Sequence, residues 1–318
     1  MGDYSDYNES FYSCLYAEWK YGYEKECFWV SGILLSSVSF LGLLGNFFNI
    51  IVLCQPKMRK NNFYNLLLFL AFFDILFILS YGISVAYKSM ACYPFNKLVG
   101  PIAYPLINIG LVGSIYMTLA ISAERYIGIC HPSVILKRRV WTFVLPVLFV
   151  TFAYASPKFF ERYFYFENGT LVAKARAFRS NETYQHVYHL WTATIVVSVI
   201  PFISLLFMNG SIIAHINKTS EKVKNLGRSH QRKGMNSTKI LFWIVLMFLT
   251  FHIPRVIYKC LFYLGPENRS TWYWVEPYSR LSLICNSSLN FVVYCMVGKN
   301  FRREFCKAFH LRSIFQEK

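Results

Sequence analysis

Charge is scarce in this chain, and negative charge scarcer still. Only 15% of its 318 residues are charged, 55% are hydrophobic and the mean hydropathy is positive. A typical soluble domain carries about 25% charged residues. The deficit excludes an ordinary soluble domain and points to a chain that lies in lipid. Lys and Arg number 33 against 16 Asp and Glu, a formal net charge of +17. In a soluble protein that excess would suggest nucleic acid. Here the basic residues sit in short loops between apolar runs, where they set membrane topology, so no nucleic-acid partner is expected. The beginning, MGDYSDYNES, lacks a basic region before an apolar core. No cleaved signal peptide is therefore expected, and the first apolar helix should serve as its own signal. Asp6 stands where a myristoylation pattern needs Ser or Thr. Metal-ligand spacings, Gly-rich phosphate loops, nucleophile motifs and internal repeats are also missing, and the seven histidines are scattered. Nothing suggests an enzyme or a cofactor held by a standard motif.

What is present is a series of long apolar runs. A helix needs about 20 apolar residues to span a bilayer. Seven stretches qualify: Phe28–Cys54, Phe63–Lys88, Leu98–Cys130, Val140–Phe160, Val187–Ile216, Thr238–Leu264 and Trp274–Val297. The expected fold is an all-α bundle of seven membrane helices. It divides into a tail over 1–27, the bundle over 28–297 and a cytosolic segment over 298–318. Pro105, Pro146, Pro201 and Pro254 lie inside spans, which membrane helices tolerate when neighbours satisfy the freed carbonyls.

The connecting segments alternate in charge. Lys57, Arg59 and Lys60, then Lys137, Arg138 and Arg139, occupy loops without acid; the loop 217–236 holds six basic residues against Glu221. The first 27 residues instead hold six acids and two lysines. The positive-inside rule then places the N-terminus outside and the C-terminus in the cytosol of a multi-pass plasma-membrane protein. Glycosylation sequons at Asn8, Asn168, Asn181 and Asn268 fall on the expected outside. After the last span, GKNFRREFCKAFHLRSIF alternates basic and apolar residues and reads as an amphipathic helix lying on lipid. Cys306 within it is a candidate for palmitoylation.

Polar residues inside apolar spans are functional candidates by default. They are Asn46 in GLLGNFFNIIVL, Asp74 at the end of NLLLFLAFFD, Ser114 in the third span, and Asn286, Ser287, Ser288, Asn290 and Tyr294 in NSSLNFVVY. Glu124 and Arg125 stand together in SIYMTLAISAERYIGICHP. The topology places that pair at the cytosolic mouth of the third span. The plainer alternative is that each polar group only holds helices together.

The set GN in span one, LAxxD in span two, ERY in span three, Pro201, Pro254 and NxxxNFxxY in span seven resembles the rhodopsin-like G protein-coupled receptors. SPKFFE, FHIPR and NSSLNFVVYC look like invertebrate FMRFamide-type neuropeptide receptors. The resemblance implies a receptor that carries an extracellular peptide signal to a heterotrimeric G protein. It makes Glu124, Arg125, Tyr126, Asn290, Tyr294, His252 and Pro254 the coupling and activation residues. Asp74, Ser114, Asn286 and Asn290 become a sodium site, whose oxygen ligands suit a hard cation. His252 replaces the family's usual toggle tryptophan. Phe291 replaces a proline, so the seventh helix is expected to lack its usual kink. Asn209 stands where a tyrosine is common.

For the ligand, the resemblance nominates Tyr104, Ile107, Asn108, Leu111, Glu161, Trp191, Arg255, Lys259, Glu276 and Arg280. Ile107 stands where amine receptors carry an aspartate, and Ile284 where opsins carry a lysine, which argues against both ligand classes. The arginine of an amidated Arg-Phe peptide would need a carboxylate. Glu276 and Glu161 are the candidates, with a phenyl slot at Tyr104, Leu111 and Trp191. The opposing reading is that Glu276 only neutralises Arg280 or Lys259. The family's usual disulfide is absent: Gly100 holds one cysteine position, and 161–186 contains no cysteine. Either Cys14 or Cys27 is expected to pair with Cys92 instead. Between Lys222 and Phe251 there is no acid to restrain Arg125, so raised ligand-free signalling is expected unless Asn209 compensates. A transporter or channel is the competing class, but it would show repeated halves or several polar-lined spans. An orphan receptor that signals without ligand is the third reading.

Overall fold

The computed structural model describes residues 28–89, 93–132, 139–167, 170–223, 231–264 and 275–310. Among the described residues, nine helices carry the architecture. They are α1 (Leu35–Leu53), α2 (Asn62–Ser89), α3 (Tyr93–Cys130), α4 (Trp141–Phe160), α5 (Ile200–Val223), α6 (Gln231–Leu264), α7 (Val275–Ser288), α8 (Asn290–Val297) and α9 (Lys299–Ala308). A π-helical segment, Phe28–Leu34, leads into α1, and two others, Gln185–Thr192 and Ile195–Val199, lead into α5. Six spans are long and apolar enough to cross a membrane, and α7 with α8 makes a seventh, bent by 40°. The seven spans expected from sequence are therefore found.

Apolar residues face both ways, as lipid as a solvent requires. Phe40, Phe47, Phe149, Phe207 and Met296 are exposed on the outer surface. Phe63, Leu66, Ile78, Ile115, Phe248 and Tyr294 are sealed inside. Helices in lipid associate through close packing more than through the hydrophobic effect, and small residues permit it. At Gly110 a Cβ would stand 2.5 Å from the backbone nitrogen of Phe77. Only glycine lets α3 approach α2 that closely.

Two features depart from the expected all-α bundle. Arg162–Glu167 (β1) pairs antiparallel with Thr170–Ala175 (β2), Arg162 facing Ala175 and Glu167 facing Thr170. Alternating aromatics in RYFYFE supply the strand propensity. The second departure is the bend between α7 and α8, which forms without proline. Asn46 Nδ2 donates to the Ser287 carbonyl at 2.9 Å and to Gly42 O at 3.0 Å. In an unbroken helix, that Ser287 carbonyl would receive the N–H of Phe291. A side chain entering the helical ladder is a recognised cause of kinks. The expectation of an unkinked seventh span is thus corrected.

Phe291 has another task. Its ring lies 5.6 Å from those of Phe48 and Phe305 and 6.2 Å from Phe301, seating α9 against α1 and α8. α9 is amphipathic, as its sequence suggests: Phe301 is buried, Arg303 and Lys307 are exposed, and half-buried Arg302 donates to the carbonyls of Cys295 and Met296 at 2.9 and 2.6 Å. Glu304, buried on α9, meets Lys57 at 3.4 Å, Arg303 at 3.4 Å and Lys307 at 3.9 Å. Cys14, Cys27 and Cys92 lie outside the described residues, as do Asn8, Asn168 and Asn268. Asn181 is exposed, and its Oδ1 caps the short helix Glu182–Tyr184 by accepting from Tyr184 N at 3.1 Å.

Candidate functional site

At the hairpin end of the bundle, six spans enclose a cavity. Phe77 and Tyr81 come from α2, and Tyr104, Ile107, Asn108 and Leu111 from α3. Tyr154 and Lys158 come from α4, and His189 and Ala193 from the π-helical entry to α5. Arg255, Tyr258, Lys259 and Phe262 line it from α6, and Glu276, Ser279, Arg280 and Leu283 from α7. Eight of the ten residues expected from sequence line this cavity.

Trp191 does not. It is 53% exposed on the outer surface, because His189, Leu190 and Ala193 carry the inward phase of that segment. Glu161 also lies outside the lining. It is 1% exposed behind the cavity wall, where its carboxylate meets His189 Nε2 at 3.2 Å, Arg179 at 3.6 Å and Lys158 at 3.9 Å. The Tyr184 hydroxyl donates to it at 3.0 Å. Burial opposes the Glu161 charge, but the His189 hydrogen bond and the nearby Lys158 and Arg179 outweigh it, so its carboxyl is held below the ordinary range. Glu161 therefore ties the end of α4 to three later turns, those of Arg179, Tyr184 and His189.

Lys158 was missed in the reading of the sequence. It is 3% exposed, its ammonium 4.8 Å from the Tyr188 ring centre and 4.9 Å from that of Tyr104. The signal was available: a lysine before the last two residues of an apolar span, in SPKFF, has to find partners. Glu276 is bound by Arg280, whose guanidinium also reaches the Tyr81 hydroxyl at 3.2 Å. Neutralisation of Glu276 within the chain is thus the arrangement found.

Below the cavity sits His252, buried and stacked on Phe248 at 4.1 Å. Neither ring nitrogen has a hydrogen-bond partner among the described residues. Next comes Asp74, fully buried. Ser114 donates to its Oδ1 at 2.6 Å and Asn290 to its Oδ2 at 2.7 Å. The third partner is Ser287, not the expected Asn286. The bend at Leu289 brings Asn290 to the carboxylate and leaves Asn286 half-buried on a different face.

At the opposite end, Arg125 forks onto Glu124, with Nε at 2.5 Å and Nη2 at 2.6 Å from its two oxygens. The guanidinium also lies 4.9 Å from the Phe63 ring centre. Among the described residues no other carboxylate reaches it. Asn209 turns to Ser122 Oγ at 3.5 Å and to Leu205 O at 2.8 Å, away from Arg125. Tyr126 packs against His131 and Phe207, and Tyr294 against Phe301. Pro254 lies within α6, between Phe248 and the cavity-lining Arg255.

The chain matches the family model described as 7 transmembrane receptor (rhodopsin family) over residues 45–294. It is 31% identical to an FMRFamide receptor of Drosophila melanogaster, covering 91% of this chain and 55% of that protein. It is 26% identical to an FMRFamide peptide receptor of Caenorhabditis elegans, covering 84% of this chain and 66% of that one. A type-1 angiotensin II receptor A of Xenopus laevis is 25% identical over 86% of this chain and 77% of its own length. The chain thus spans little more than half to two thirds of the length of the two FMRFamide receptors.

Proposed function

The chain belongs to the rhodopsin family of seven-transmembrane receptors, and from that premise we propose that it is a peptide receptor of the plasma membrane that signals through a heterotrimeric G protein. One observation carries the reading. A cavity ringed by six spans stands above Asp74, with the Glu124–Arg125 pair beyond it at the far end. The relatives named for FMRFamide and angiotensin II support a peptide as the ligand. The distribution of loop charge supports an orientation with the N-terminus outside.

A peptide in the cavity would press on α6, whose upper half carries Arg255 and Lys259 above Pro254. Binding would favour one of two bundle arrangements. In the active one, α6 swings outward about Pro254, Arg125 leaves Glu124, and a G protein docks against the freed guanidinium and the basic loop 217–236. Asp74 is a fully buried carboxylate with only neutral hydrogen-bond partners. A sodium ion suits that setting, held by Asp74 and Ser114 with the Ser287 hydroxyl and the Asn290 carboxamide nearby. Bound there, it would supply a positive charge that no described residue places beside Asp74.

The test is a panel of short amidated Arg-Phe peptides and their free-acid counterparts, applied to cells that display the receptor, with calcium and cAMP as readouts. Activation by at least one peptide is expected. Silence across the panel, with surface expression verified, would sink the peptide reading.

A further inference from the structure

The cavity is unbalanced in charge. Lys158, Arg255, Lys259 and Arg280 line it against the single carboxylate Glu276, and that carboxylate is already engaged by Arg280. Lys158 is committed to the buried Glu161 and to its cage of tyrosine rings. Two cations of α6 remain. Lys259 donates to the backbone carbonyl of His189 at 3.2 Å, a neutral partner. Arg255 is 9% exposed, and its Nη1 has no hydrogen-bond partner among the described residues. Residues four apart share a helix face, so both charges lie on one stripe of the cavity wall.

A buried guanidinium nitrogen without a partner is costly unless a partner arrives. Its planar fork fits a carboxylate through two parallel hydrogen bonds. A cationic ligand end would instead meet four like charges, with no carboxylate among the described lining residues left to receive it. We propose that the deep end of this cavity takes a carboxylate carried by the ligand, held by Arg255 and Lys259. The inference rests on the reading of this chain as a peptide receptor, and it reverses the polarity expected for an amidated Arg-Phe end. A carboxylate can come from a free C-terminus or from an acidic side chain, and the cavity chemistry is the same for both.

The test uses purified full-length receptor and three small probes at millimolar concentration, with thermal stability as the readout. N-acetylphenylalanine carries a terminal carboxylate. N-acetylphenylalaninamide carries none. N-acetyl-aspartyl-phenylalaninamide carries one on a side chain. A ligand that binds only the folded state raises Tm in proportion to its occupancy. At about ten times its dissociation constant, a carboxylate probe is expected to raise Tm by roughly 2–4 °C, with little shift from the neutral amide. The response from the first or the third probe identifies the source of the carboxylate. Arg255→Gln is expected to abolish the difference, and Arg255→Lys, which keeps the charge but loses the fork, to retain only part of it. Lys259→Gln should weaken it and answers the question alone if Arg255→Gln fails to fold. Equal shifts from acid and amide, no shift from either acid, or an acid-selective shift that survives in both glutamine variants would overturn the proposal. A silent peptide panel beside an intact acid-selective shift would retire the peptide reading and leave the anion site standing. Peptides active equally as acids and amides, with no acid-selective shift, would do the reverse.

Discussion

The two ends of the bundle treat their charges differently. At the Arg125 end the charge is closed locally: Glu124, one residue away, holds both faces of the guanidinium fork. At the cavity end, cations outnumber carboxylates, and Arg255 has an unfilled donor. A pair between neighbours on one helix can open without moving another helix. An unfilled donor on α6 can be satisfied only by something that enters. On the proposed reading, the contrast gives each end a role: one would take a ligand, and the other would release Arg125 once α6 has moved aside to admit a G protein. Fully buried Asp74 lies between them, linked to α3 through Ser114 and to α8 through Asn290.

The contrast is broken most severely at Glu161. Glu161→Gln leaves Lys158 buried without its countercharge and loosens Arg179 and His189. A loss of about 3–5 kcal/mol is expected, the usual cost of breaking a buried pair, read as a large fall in Tm and in surface expression. The second largest effect is expected at the other end. Glu124→Gln removes the carboxylate that holds Arg125. Hydrogen bonds to charged groups contribute about 1.5–3 kcal/mol, so ligand-free signalling should rise by about tenfold or more, measured as basal G protein activation. The wild type already lacks an acid on α6 to restrain Arg125, so its own basal signalling should exceed that of empty cells.

Acid should separate the ends further. The Glu161 carboxyl is depressed below its ordinary value of 4.5. A depressed carboxyl stabilises the fold above its unfolded pKa, and that contribution is lost as pH falls through the folded value. Tm should therefore hold from neutral pH to about 5 as far as Glu161 is concerned, then drop below the ordinary carboxylate range. The drop should be smaller in Glu161→Gln, which has no charge there to lose. The smallest effect is expected at Lys57. Lys57 is exposed, and Arg303 and Lys307 still meet buried Glu304 without it, so Lys57→Gln should cost no more than about 1 kcal/mol of stability.

The spans were legible because length and apolarity alone determine them. Asp74 and Ser114 were legible because ionisable and hydroxyl groups in apolar runs are rare enough to stand out. Pairings that depend on helix rotation were not. Ser287 and Asn286 are neighbours in sequence, and only the bend at Leu289 decides which one meets Asp74. That bend comes from Asn46, more than 200 residues away in the chain; the missing proline pointed the other way. Trp191 was misplaced because the π-helical turn before α5 changes the angular spacing that a regular helix would give. The hairpin of β1 and β2 lies in a loop between two apolar spans, where membrane-span length gives no signal. The alternation in RYFYFE was readable. Lys158 and Glu161 are three residues apart in SPKFFE, a spacing that allows a helical pair.

The central claim is that a ligand at the cavity end releases Arg125 at the other. The most direct measurement is nucleotide exchange on a purified G protein by the reconstituted receptor, with and without the peptide panel. The account predicts a peptide-dependent rise in exchange that is lost in Arg125→Ala, while the acid-selective probe shift at the cavity persists. Exchange that no peptide raises, or a peptide response that survives Arg125→Ala, would contradict it.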